Sequence, residues 1–110
     1  MLLPNGNEAI VDISKLRDYC LDRQHPRGKH KARVFAATLG FSQADAMFLR
    51  NALLWAAIEC EAVPDQSDEY GDRFNVDFEL VQGGRRAIVR SAWILLRGES
   101  RPKLVTCFVL

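Results

Sequence analysis

The stretch from Arg73 to Leu96 constrains the fold more than any other part of the chain. Phe74, Val76, Phe78 and Leu80 alternate with Arg73, Asn75, Asp77 and Glu79, a period of two that gives a β-strand one dry and one polar face. Gln82-Gly83-Gly84-Arg85 follows, and paired glycines supply the positive φ angles that a two-residue hairpin loop requires. That turn sets the register. With Gln82 facing Arg85, Phe78 faces Val89, Val76 faces Ser91 and Phe74 faces Trp93 on the core side, while Asp77 faces Arg90 on the other. Ile88, Ala92 and Ile94 surround Arg90, so the second strand is largely apolar on both faces. Such a strand is central in its sheet, and its second face calls for a cover.

A loop around Gly98 and Pro102 leads to a third strand from Leu104 to Leu110, and Ala9 to Val11 suits a further short strand. The first half of the chain reads as helix. Asp12 is a plausible N-cap for a helix to about Leu21, with Ile13, Leu16, Tyr19 and Cys20 at helical spacing. Pro26 and Gly28 break it, and a second helix covers about Lys29 to Leu39, closed by Gly40. Ser42 and Asp45 resemble a capping box opening a third helix to about Cys60. Ala46, Leu49, Leu53, Ala56, Ala57 and Cys60 make one apolar stripe on it, yet Phe48, Ala52 and Trp55 lie opposite. A helix apolar nearly all round is either central or presents a partner surface. The stretch that follows, with Pro64 and Gly71, reads as a loop. The expected fold class is α+β: about three N-terminal helices packed on a C-terminal antiparallel meander of three to four strands, in a single domain spanning residues 1–110.

At 110 residues the chain can remove roughly two thirds of its unfolded surface from water without disulfides or metals. Cys20, Cys60 and Cys107 are odd in number and form no C-x-x-C pair, so reduced core thiols are expected. The start lacks the pattern of a secretory signal, and the longest apolar run, Ala52 to Cys60, is too short to span a bilayer, so a cytoplasmic, non-membrane protein is expected. The net charge of +1 conceals an asymmetry. Arg23, Arg27, Lys29, Lys31 and Arg33, with His25 and His30, form an acid-free segment, whereas Glu59 to Glu79 holds eight acids against Arg73 alone. Either the two segments are solvated faces that partly attract each other, or the basic one attracts a polyanion, since potential is set within a Debye length of roughly 8 Å.

Lys31, Arg90 and the two histidines carry candidate chemistry. Lys31 sits at the rim of the second helix's apolar face, where it either snorkels to water or meets a substrate phosphate. Arg90 either pairs with Asp77 across the strands or clamps a phosphate bidentately while Asp77 orients it. His25 is a solvated loop residue or a proton-transfer group, and with His30 it is the natural first choice for proton transfer at neutral pH. No Walker motif, nucleophile elbow, dinucleotide fingerprint or metal-spaced carboxylate cluster is present, so neither a cofactor nor a metal is expected.

Four segments in order carry a resemblance across nearly the whole chain: His25-Pro26-Arg27-Gly28-Lys29-His30-Lys31-Ala32-Arg33-Val34-Phe35; Tyr70-Gly71 with Val76-Asp77; Arg90-Ser91-Ala92-Trp93-Ile94; and Pro102-Lys103-Leu104-Val105-Thr106. Together they resemble a bacterial family of small uncharacterised domains that occur alone or at the C-termini of polymorphic toxins. That family resembles the superfamily of barnase, EndoU, colicin tRNases and RelE-type toxins, metal-independent ribonucleases. The resemblance implies cleavage of RNA by attack of the ribose 2′-OH on its own phosphate. It makes His25 the proton-transfer candidate, Lys31 and Arg90 the phosphate clamp and Thr106 a donor to the phosphate. Lys29, His30, Tyr70 and Asp77 would help to bind substrate, Tyr70 by stacking on a base or sharing in proton transfer. Thr106 shares Arg90's face only if the last hairpin pairs residues whose numbers have an even sum. The implied partners are RNA and a small antitoxin or immunity protein. The competing expectation is a non-catalytic interaction module, a degenerate relative that binds a partner or forms a homodimer.

Overall fold

A computed structural model describes residues 1–110. Four strands, β1 (Ala62–Ser67), β2 (Gly71–Gln82), β3 (Arg85–Leu96) and β4 (Lys103–Val109), form one antiparallel meander in the order β1-β2-β3-β4. Two α-helices precede it, α1 (Lys29–Leu39) and α2 (Ala46–Glu59), together with a short π-type turn at Leu16–Cys20. The α+β architecture, with helices before sheet, agrees with the sequence reading.

The central hairpin has the expected register at every named pair, including Val76 with Ser91, Phe74 with Trp93 and Asp77 with Arg90. Gly83 and Gly84 have φ of 55° and 81°, the left-handed region that a tight hairpin loop demands at both positions. The fourth strand is β1, in the stretch read as a loop. Pro64 lacks an N–H, but it stands opposite Phe74 on an edge strand, with an irregularity before Ser67, and an edge tolerates that loss. Ala9 to Val11 contributes no strand: Ile10 makes a single parallel bridge beside β4, its N–H donating to Pro102 O at 2.8 Å.

The helical half follows the sequence signals except at its two ends. Asp12 Oδ1 accepts from the Ser14 N–H at 3.0 Å and from the Ser14 hydroxyl at 2.8 Å, so it does cap. The element it opens is short, because the Leu21 N–H donates to Leu16 O at 2.8 Å, a five-residue step. That wider turn brings Leu16, Cys20 and Leu21 inward together, all buried. Helix α1 ends at Gly40, whose φ of 70° lets its N–H reach Ala36 O. Ser42 and Asp45 form the anticipated capping box, through a 3-10 turn that leads into α2.

One core of 22 buried residues lies between the helices and a single face of the sheet. Phe35 and Leu39 of α1 and Leu49, Leu53, Ala56 and Ala57 of α2 meet Phe74, Val76, Phe78, Val89 and Trp93 there. Inside it, the Trp93 Nε1–H donates to Ser91 Oγ at 2.9 Å, and Ser91 Oγ–H donates to Val76 O at 2.7 Å, which satisfies the core's polar side chains. The expectation of a third helix buried nearly all round is corrected: Met47, Phe48, Trp55 and Ile58 of α2 are 42–56% exposed. A two-layer molecule has no second apolar layer to cover them. The outer face of β3 is bare for the same reason, with Ile88 exposed and Arg90, Ala92 and Ile94 half-buried. No helix is long and apolar enough to cross a membrane.

Candidate functional site

The turn from His25 to Gly28 fixes where α1 begins. His25 Nδ1 accepts from the backbone N–H of Arg27 at 3.0 Å and of Gly28 at 2.9 Å, capping the helix start in place of an aspartate. An Nδ1 that accepts twice places the ring proton on Nε2. Gly28 is required by contact: a Cβ there would lie 2.1 Å from Tyr19 O. That close approach seats the α1 start against the Leu16–Cys20 turn, and the Tyr19 ring meets the His25 ring edge-on, with centroids 4.8 Å apart.

Lys31, in the first turn of α1, reaches into this seat. Its Nζ donates to Tyr19 Oη at 3.2 Å, 5.1 Å from the Tyr19 ring centroid, and lies 6.0 Å from the Phe108 ring of β4. A hollow of about 370 Å³ opens there, lined by His30, Lys31, Val34, Phe108 and Val109. Lys31 has no carboxylate partner. Neither has Arg23, Arg27, Lys29 or Arg33: none of the five is in an ion pair. Five of the eight acids of residues 59–79 are engaged elsewhere, Asp68 by Arg73, Asp72 by Arg97, Asp77 by Arg90, Glu79 by Arg86 and Glu61 by the terminal amino group, and none of the eight pairs with the basic segment. No ion pair therefore joins the basic and acidic segments, and the five cations around the α1 start keep their charge unpaired.

Beside Lys31 lie two fully buried thiols, Cys20 and Cys107. Hydrogen bonding from Cys107, helped by the Thr106 hydroxyl and the charge of Lys31, outweighs burial and pulls the Cys20 thiol down to about 6. Cys107, which keeps its proton in that pairing and is itself desolvated, is pushed well up. The last hairpin pairs Arg90 with Phe108 and Ala92 with Thr106, the even-sum register. An irregularity follows Ala92, and the Thr106 hydroxyl lies 3.6 Å from Cys20 Sγ.

Arg90 stands apart from this cluster. Its Nε and Nη2 donate to the two oxygens of Asp77 at 2.8 and 2.9 Å, a bidentate cross-strand pair, and the pair lines a different hollow with Glu61, Val63 and Asn75. No hydrogen bond joins it to Lys31, His25 or Thr106. Tyr70 is elsewhere again, 64% exposed in the turn before β2, where its N–H donates to Asp68 Oδ1. The structure thus gathers His25, His30, Lys31 and Thr106 near the junction of α1 and β4, with Lys29 at the start of the same helix. It leaves Arg90, Asp77 and Tyr70 outside. No three His, Cys, Asp or Glu side chains converge in a way that could hold a metal ion.

Residues 2–110 match the model of a family described as a domain of unknown function, DUF6883. The chain belongs to that family. No curated protein and no solved structure matches it. What the DUF6883 fold adds to the sequence reading is Tyr19, Phe108 and Cys20. Tyr19 looked like one member of an apolar helical stripe, and Phe108 like one position of a C-terminal strand. Only the seating of α1 against both elements puts their rings around Lys31.

Proposed function

We propose that this DUF6883 domain is a toxin-like, metal-independent ribonuclease acting at the hollow between α1 and β4. The observation that carries the reading is Lys31, a cation with no acid to pair with, held between two aromatic rings at the centre of an unneutralised basic segment. Such a group suits an RNA phosphate, with a base stacked on Phe108. His30 is exposed beside Lys31 and its ring is free, which suits the base that takes the 2′-OH proton. The 2′ oxygen then bonds to phosphorus and the bond from phosphorus to the 5′ oxygen breaks. Lys31 occupies Tyr19 Oη as an acceptor only, which leaves the phenolic proton for the departing oxygen. The products are a 2′,3′-cyclic phosphate and a 5′-hydroxyl, and both side chains re-equilibrate their protons with water. In this arrangement His25 is a positioning residue, because its Nδ1 is already committed to the α1 start. Arg90 could join a phosphate clamp only by giving up two bonds to Asp77, so we assign it to the sheet. An inhibitory partner for this site would be an acidic protein seated on α1, in the manner of an antitoxin or immunity protein.

The test is cleavage of total RNA by purified protein in chelator, comparing wild type with Lys31→Ala, His30→Ala and Tyr19→Phe, each checked for folding. The companion experiment is growth of cells expressing the chain with and without the product of the neighbouring gene. Cyclic-phosphate ends that vanish in Lys31→Ala support the reading. RNA binding without cleavage, and harmless expression, would identify a non-catalytic binding module instead.

A further inference from the structure

The outward side of α2 has no role in that chemistry. Met47, Asn51, Leu54 and Ile58 run along it at spacings of four, three and four residues, and Phe48 and Trp55 lie beside that line, two turns apart. Met47, Phe48, Trp55 and Ile58 are each 42–56% exposed, an unusual concentration of large apolar side chains on one helix. The charged residues of α2 are Arg50 and Glu59, and the Arg50 guanidinium turns inward to donate to Val11 O at 3.1 Å.

We infer that this face binds a second copy of the same chain, with the two α2 helices antiparallel about a twofold axis near the middle of the helix. Three observations select this occupant. Spacings of four, three and four read the same in both directions, so an antiparallel copy sets Met47 against Ile58 and Asn51 against Leu54 on both sides of the axis, as an isologous interface requires. The face carries almost no charge, so a second copy meets no repulsion, whereas an acidic inhibitor of the basic hollow would find nothing complementary here. The area is also sufficient. The four exposed side chains present on the order of 400 Å² of apolar surface. Two copies, with Leu54 and Asn51 beside the axis and Leu2 at the rim, reach roughly the 1,200 Å² of a stable interface. Ile58 also borders a hollow of about 280 Å³ with Leu2, Leu3 and Ala57. It lies where the partner's Met47 would arrive, and a flexible thioether fills an irregular gap of that kind. Trp55 is the central anchor.

Sedimentation of the full chain over a concentration series tests the inference. Wild type should dimerise, and Trp55→Glu should remain monomeric at the same concentrations with unchanged circular dichroism. Trp93 is fully buried, so concentration-dependent fluorescence reports Trp55, whose emission should shift to the blue as wild type associates. Met47→Lys and Ile58→Glu should each abolish the dimer, and the double variant should restore it, because opposite charges then meet across the axis. A wild type that is monomeric throughout overturns the proposal. So does a dimer indifferent to Trp55→Glu, or a double variant no better than the single ones. If Trp55→Glu fails to fold, the Met47 and Ile58 variants decide the matter alone.

Discussion

Replacing Lys31 with alanine should change RNA binding in two separable ways. Five cations between Arg23 and Arg33 are free of acidic partners. If all five neutralise phosphates of a single strand, the logarithm of the binding constant should fall against the logarithm of salt with a slope of about −3.5, near −0.7 for each contact. Removing Lys31 or Arg27 should lower the steepness equally, to about −2.8. The loss of affinity at fixed salt should differ. Arg27 is exposed in the turn, whereas Lys31 is half-buried between Tyr19 and Phe108, where a hydrogen bond to a charged phosphate is worth about 1.5–3 kcal/mol. Lys31→Ala should therefore weaken binding by roughly tenfold to a hundredfold, with Arg27→Ala well below that. Fluorescence anisotropy with a labelled single-stranded oligonucleotide at several salt concentrations measures both quantities. Arg86, already paired with Glu79 on the hairpin, is the control. A shallow slope in wild type, or a Lys31→Ala variant no weaker than Arg86→Ala, would refute the assignment of the hollow.

Three further outcomes follow from the same geometry. Ser91→Ala leaves the fully buried Trp93 N–H without an acceptor and should cost about 2 kcal/mol, lowering the thermal midpoint by about 8–15 °C, whereas a shift under about 2 °C would mean that the core rearranges to satisfy it. Asp68 is held below its usual range of 3.8 by Arg73 and by the N–H groups of Tyr70 and Gly71. The contribution of that carboxylate is complete above its unfolded value and lost as pH falls through the lower folded one, so the protection of the Tyr70 and Gly71 amides against hydrogen exchange, taken relative to their intrinsic rates, should fall only in acid, and Asp68→Asn should remove that fall. Cys20, at about 6 against an ordinary 9.0, gives stability that grows between those values and is lost as pH falls through the lower one. Thiolate absorbance should rise near that lower value and move upward in Lys31→Ala, and absorbance that stays flat until ordinary thiol pH would disprove the pairing.

How far the sequence reached depended on how local each determinant is. The Gly83-Gly84 turn and the alternation beside it lie within a few residues of each other, so the whole β2–β3 register followed, down to Asp77 against Arg90. Gly40 and the pair of Ser42 with Asp45 fixed two helix ends by equally short-range bonds. By contrast, β1 is a strand because β2 offers it an open edge, and neither Pro64 nor the acidic residues after it carry that information. The Leu16–Cys20 turn widens into a five-residue step because Leu16 and Leu21 must both be buried, which is a demand of the core and not of helix propensity.

The candidate site was half legible for the same reason. Lys31 and the basic segment stand out in composition, and His30 beside them could be singled out by residue type alone. Tyr19, Lys31 and Phe108 come from three elements whose meeting depends on a close approach at Gly28, where any Cβ would lie 2.1 Å from Tyr19 O. Arg90 misled in the opposite direction: a lone charge in an apolar strand suggested a ligand, yet its register partner already satisfies it. The two-layer architecture accounts for what remains exposed. One sheet has two faces and these helices cover one, so the outer sides of β3 and α2 stay open. On β3 the opening is closed chemically by the Arg90–Asp77 pair. On α2 nothing polar closes it, and a surface bearing Trp55 and Phe48 at that exposure is better satisfied by a second copy than by water.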